Sequence, residues 1–312
     1  MSFGAILCLV LTAVYGLTSL LISILVAVAW RAGLDRRCST SIDLLVLRLL
    51  PAGGGTLLTL TVALPAFLIY EPAHEIEQIS ELIVTFAVFG LISVGAGIFR
   101  GLRACQAAQT LLRNWGPADR WFAEDGQTVD LMDIPEPIAA VVGGWQPRIV
   151  AARRVFGVCS NEEFRQVIGH EVAHVSARDN LKLLILLGSP DALAWLPSGV
   201  ALTARWQAAA ELEADERATG SDPRKRVALA SALIKVARLA KGADRSLPAL
   251  SMPVALNEVE ERVRLLLSPS QNPTPAITVN QLMASATLVP VIAVPFYELI
   301  HQVIESLVSF GR

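Results

Sequence analysis

A chain of 312 residues that is 53% apolar and only 17% charged is too hydrophobic for an ordinary soluble domain. Its net charge of −2 gives no case for a nucleic-acid partner. Four scattered cysteines (Cys8, Cys38, Cys105, Cys159), none in a C-x-x-C pair, argue against a disulfide framework and against a cysteine metal site.

Residues 1–30 contain no charged side chain, enough apolar length to cross a bilayer as a helix. No basic segment precedes this run, so it reads as an anchor rather than a cleaved signal peptide. A second uncharged run covers residues 49–70, where Pro51 and Gly53-Gly54-Gly55 predict a broken or late-starting helix. The third run, residues 82–99, is short but sufficient. A fourth, residues 276–297, is interrupted by Pro290 and Pro295 and carries Asn280 and Gln281.

Charge predicts the orientation. The first loop holds Arg31, Arg36 and Arg37, with Arg48 close by, and Arg100 and Arg103 follow the third run. Between residues 49 and 99 there is no lysine or arginine, and Glu71, Glu75, Glu77 and Glu81 lie in the second loop. The first loop and everything after the third span are therefore expected in the cytoplasm, with the N-terminus and second loop outside. His74-Glu75 in that loop is no metal motif, because position 78 is Gln. Glu298, His301 and Glu305 near the end of the chain read as a solvated interfacial face.

Residues 100–120 read as a helix continuing out of the membrane. Residues 128–134, 138–142 and 148–150 are β-prone and separated by Pro135, Pro137, Gly143-Gly144 and Pro147, which predicts a small sheet. An edge strand of it would either pair with extended substrate backbone or be purely structural. Ser160 and Glu163 then form a capping box, and Phe164, Val167, Ile168, Val172 and Val175 recur at helical spacing.

On that helix lies His170-Glu171-Val172-Ala173-His174. Two histidines four apart share a face and reach one ion, and the intervening Glu171 can serve a water without filling a coordination position. Such a spacing suits a zinc peptidase. The other histidines, His74 and His301, sit beside membrane segments, so a third ligand must be a carboxylate or a cysteine. Glu211 and Asp215, four apart, share a helix face downstream; one can ligate while the other orients a ligand histidine. Between motif and acidic pair, residues 181–202 are apolar but cannot make a single crossing, because both must reach the same ion. Pro190 and Pro197 suit a re-entrant or membrane-apposed helix pair, or core packing. Helices are expected over residues 227–239, with Pro223 at the start, and 257–267, followed by a linker at 268–275.

His170-Glu171-Val172-Ala173-His174, then Arg178-Asp179-Asn180-Leu181, then Glu211-Leu212-Glu213-Ala214-Asp215 resembles the M56 family of membrane-bound zinc peptidases, the peptidases of β-lactam sensor-transducers, which are related to the M48 family. The resemblance implies Zn2+ on His170, His174 and Glu211, a general base at Glu171, and supporting roles behind the ligands for Asp215 and Asp179. Glu213 is out of phase. It also implies a mainly α, integral membrane protein: about four transmembrane helices, with a gluzincin-like α+β peptidase domain between the third and fourth. The expected domains are 1–103 (membrane), 104–275 (cytoplasmic peptidase) and 276–312 (fourth span and tail).

The expected activity is that of a zinc metalloendopeptidase in the inner (plasma) membrane. A fourth metal position is left for water, whose pKa falls toward ~7; Glu171 takes its proton and returns it to the leaving amine. Arg178, Arg205 and Arg217 are candidate oxyanion donors. Expected partners are a protein or peptide substrate and the lipid bilayer, with room for a homo-oligomer and none for nucleic acid. Two other readings are a signal-transducing peptidase that cleaves a repressor, against which stands the expected lack of a sensor domain up to Arg312, and a catalytically silent scaffold, against which stands the intact Glu171.

Overall fold

The computed structural model describes residues 2–33, 40–70, 80–116, 118–122, 126–240 and 256–268, with Gln302. The fourth expected span and the face containing His301 lie outside the described residues. Those that are described fall into two compact units, one within Met1–Arg100 and Gly188–Arg205, the other within Gly101–Leu187 and Trp206–Pro273.

The first unit contains α1 (Phe3–Arg31), α2 (Ser41–Leu58), α3 (Leu64–Tyr70) and the first part of α4 (Glu81–Asn114). Three stretches are long and apolar enough to cross a membrane: Phe3–Arg31, Ser41–Ile69 and Glu81–Asn114. Leu25, Leu91 and Ile98 are exposed, whereas Ser19, Ser23 and Ser93 are buried. That inversion of the soluble pattern is what lipid favours, since small residues let helix backbones approach. At the crossing of α1 and α4, a Cβ on Gly90 would lie 2.6 Å from the Thr12 carbonyl oxygen, and one on Gly16 would collide with that of Phe86. Only glycine fits there.

Two expectations change in this unit. The second span starts at Ser41 and passes unbroken through Pro51; its irregularity is a π-helical turn at Thr59–Ala63. There the Thr59 and Thr61 hydroxyls donate to the Gly55 and Leu57 carbonyls at 2.8 and 2.7 Å, adding side-chain donors where the helical ladder shifts. Arg48 is consequently not a loop charge. It is a buried residue of α2.

The second unit begins with the end of α4 and a four-stranded sheet. Its strands are β1 (Asp119–Phe122), β2 (Thr128–Met132), β3 (Ala139–Val142) and β4 (Arg148–Ala152), in the order β1-β2-β4-β3. β2 and β4 pair in parallel at the centre, and β1 and β3 flank them antiparallel. Val129, Leu131 and Met132 of β2 and Ile149 to Ala152 of β4 are buried, as a strand covered on both faces requires. Asp130, also buried, is held by Arg148. β1 is a strand that the sequence reading omitted.

From β4 the chain enters α5 (Arg153–Val158) and α6 (Asn161–Ala177). Ser160 and Glu163 form the expected capping box. Phe164 packs edge-on against Trp121 and Phe156, with ring centroids 5.2 and 4.9 Å apart, seating α6 on the sheet. The unit is completed by α7 (Asp179–Gly188), the later part of α8 (Pro197–Thr219), α9 (Pro223–Ala240) and α10 (Leu256–Leu267). α10 packs on α9 through Leu266, Leu229 and Ala230, and Arg226 donates to the Leu265 and Leu266 carbonyls at 2.8 and 2.9 Å.

Candidate metal centre

The chemistry-bearing side chains come from α6, the start of α7, the last turns of α8 and α10. Arg178 ends α6 in the left-handed conformation, with φ at 56°, the one non-glycine positive φ among the described residues. The sharp exit starts α7 at once, and its first residue turns back to α6. Asp179 Oδ2 lies 2.9 Å from His174 Nδ1, and its other oxygen accepts from Lys182 Nζ at 2.9 Å. On the neighbouring helix, Asp215 Oδ1 lies 2.9 Å from His170 Nδ1.

Each imidazole thus has one nitrogen on a carboxylate. A carboxylate only accepts, so each Nδ1 donates its proton there and Nε2 is the nitrogen left to take a further proton or a metal ion. Both Nε2 atoms point to one place: His170 Nε2 and His174 Nε2 are 3.1 Å apart, and each is 3.3 Å from an oxygen of Glu211. Ligand atoms of His170, His174 and Glu211 all lie within 4.8 Å of one another. Two imidazoles and one carboxylate, with the imidazoles oriented from behind, fit a four-coordinate metal with one open position.

The electrostatics agree with that geometry. Burial pushes the His170 and His174 imidazoles down, but bonds to Asp215 or Asp179 and to Glu211 outweigh it, raising both, His174 to about 10. Burial likewise pushes Glu211 up, yet Arg262 and the two histidines hold it well below the usual carboxylate range. A surplus of carboxylate favours positive charge at this spot, whether a proton or a metal ion. Glu171 differs: burial raises its carboxyl, and the nearby histidines only partly offset this. Raised basicity in a buried carboxylate suits a proton acceptor working near neutral pH.

The sequence reading missed Arg262. Its guanidinium is buried, donates from Nε and Nη2 to Asp215 at 2.8 and 2.6 Å, and pairs through Nη1 with Glu211 at 2.6 Å. Arg178, Arg205 and Arg217, the expected oxyanion donors, are all exposed instead. Arg217 pairs with Glu213 at 2.9 Å, on a different face of α8 from Glu211. Arg262 was legible in principle: Val259, Arg262 and Leu266 share a helix face, so this arginine interrupts an apolar stripe.

A cavity of about 130 Å³ opens on these groups. It is lined by His170, Glu171, His174, Glu211 and Arg262, by Ala139, Ala140 and Val141 of β3, and by Leu229, Leu233 and Val236 of α9. β3 pairs with β4 on one side only among the described strands. Asn180 donates to the Val141 carbonyl at 2.7 Å and so ties β3 to α7.

The sequence model of Peptidase family M48 matches residues 118–212. That stretch carries an M48-family peptidase-like domain. It contains β1 to β4, the two histidines, Glu171 and Glu211, and stops short of Asp215 and Arg262. No curated protein and no solved structure matches the chain. An M48-type domain indicates a metallopeptidase, joined here to helices that can span a membrane.

Proposed function

We propose that this protein is an integral-membrane zinc endopeptidase of the M56 type, with His170, His174 and Glu211 as metal ligands and Glu171 as general base. The observation carrying this reading is the convergence of both Nε2 atoms on the Glu211 carboxylate beside a buried glutamate of raised basicity. Zinc held there would polarise the scissile carbonyl and acidify the attacking water. Glu171 accepts the proton of that water and delivers it to the leaving amine. Asp179 and Asp215 keep the two imidazoles in the tautomer that presents Nε2. Arg262, a fixed cation lining the same cavity, donates to the oxygen on which negative charge develops.

The substrate is an extended peptide. Support comes from β3, which lines the cavity and has a neighbour on one side only among the described strands, the arrangement for strand addition. Leu229, Leu233 and Val236 give that peptide an apolar pocket. Glu171→Gln tests the reading: zinc per chain should stay at the wild-type level while peptide cleavage falls by about two to four orders of magnitude. Cleavage at the wild-type rate would refute the base assignment.

The site faces the cytoplasm, a reading supported by Arg31, Arg36 and Arg37 before the second span and Arg100 and Arg103 within or after the third. In a chain stripped of its native cysteines, a thiol probe at Gln78 should be labelled in intact cells and one at Gln166 only after permeabilisation. Labelling of Gln166 in sealed cells would invert the topology.

A further inference from the structure

Asp191 sits in the membrane unit, at the bend between α7 and α8, and is 0% exposed. It accepts two hydrogen bonds from Arg48 Nη1, at 3.0 and 2.9 Å, and Arg48 is 2% exposed. The Ser189 hydroxyl and the Ala194 amide also donate to it. Two more membrane helices hold the same bend. Tyr15 of α1 donates to the Pro190 carbonyl at 2.6 Å, and Arg100 of α4 donates to the Ser189 carbonyl at 2.8 Å.

Such a pair is a costly way to hold a bend. Desolvating two charges offsets most of their attraction, and an apolar pair of similar volume often does as well or better. Arg48 is not even fully satisfied, since its Nε is buried without a partner among the described residues. What an ion pair adds is directionality: it fixes one register and penalises every other. Register matters here because the two helices leaving the bend supply the metal centre. α7 opens with Asp179, which holds His174, and α8 is one continuous helix to Glu211 and Asp215. A rotation of α8 by one residue, 100°, would turn Glu211 away from the histidines.

We propose that Arg48 and Asp191 are a positioning pair that fixes the α7–α8 bend on the membrane helices and thereby sets the register of Asp179, Glu211 and Asp215. Its consequence for catalysis rests on the peptidase reading; its structural part does not.

The test uses the full chain in lipid nanodiscs, comparing wild type with Arg48→Met/Asp191→Leu, which leaves no unpaired buried charge, and with Arg48→Lys, which keeps the charge and loses the fork. The double variant should bind zinc about tenfold more weakly in chelator competition. Amide exchange over residues 206–217 should be about tenfold faster, with exchange in α6 and β4 and the melting temperature unchanged. Arg48→Lys should move both readouts the same way by less. Wild-type zinc affinity and exchange in the double variant would overturn the proposal. Should the double variant fail to fold, wild-type behaviour of Arg48→Lys overturns it instead. If wild type itself binds no zinc, the peptidase reading fails, and exchange over residues 206–217 still decides the positioning role.

Discussion

In the membrane unit a buried guanidinium, Arg48, meets one carboxylate, Asp191; in the other unit a buried guanidinium, Arg262, meets two, Glu211 and Asp215. The first carboxylate is matched by Arg48, lies near a second cation, Arg100, and accepts further from Ser189 and Ala194. This first group carries no surplus of carboxylate among the described residues. The second group gathers Glu171, Asp179, Glu211 and Asp215 against the cations Arg262 and Lys182, and the surplus falls on two imidazoles. On the two proposals above, buried charge of the first kind sets geometry and of the second kind holds a cation. The difference lies in stoichiometry, since the carboxylates of both groups are buried.

That comparison breaks most sharply at Glu171. Glu171→Gln changes the cation-holding group without touching the pair of Arg48 and Asp191, so the loss appears in rate by orders of magnitude and not in zinc content or melting. The removal of Arg48 and Asp191 together ranks next, at about tenfold in zinc affinity, and shows whether geometry set in one unit is felt at the metal centre. The smallest effect comes from a third charged group, in which Glu163 at the start of α6 accepts from Ser231 at 2.6 Å and from Lys235 at 2.7 Å, both on α9. Although burial opposes it, the bonds from Lys235, Ser231 and the Ser160 amide hold the Glu163 carboxyl at about 2, below its ordinary 4.5. Its contribution is therefore complete above pH about 4.5 and is lost as pH falls toward 2. Denaturation between those values should be less steep in Glu163→Gln than in wild type, and identical acid profiles would remove this link from the account.

How much of this was legible in the sequence follows from the range of each signal. The capping box, the helix that carries His170 and His174 and the shared face of Glu211 and Asp215 are local patterns with a fixed period, legible directly. In the sequence, residues 181–202 read as a re-entrant or membrane-apposed helix pair or as core packing; they form most of α7, a bend and the start of α8, and residues 188–205 group with the first unit. Arg48 reads there only as a charge close to the first loop, and its burial was not legible because its partner, Asp191, lies 143 residues away. Arg262 was missed for the same reason: its partners lie 47 residues back on α8 and 92 back on α6, and only its place on an apolar helix face hinted at burial. β1, four residues long and mostly exposed, carries too little alternation to be read as a strand.

The central claim, that the buried surplus of carboxylate is a metal site built on His170, His174 and Glu211, is tested most directly by the metal content of two variants two residues apart on α8. Glu211 faces both imidazoles at 3.3 Å, while Glu213 faces Arg217 at the surface. Zinc should fall to a small fraction of one per chain in purified Glu211→Ala and remain near one in Glu213→Ala. Equal loss from both, or loss from Glu213→Ala alone, would contradict the assignment.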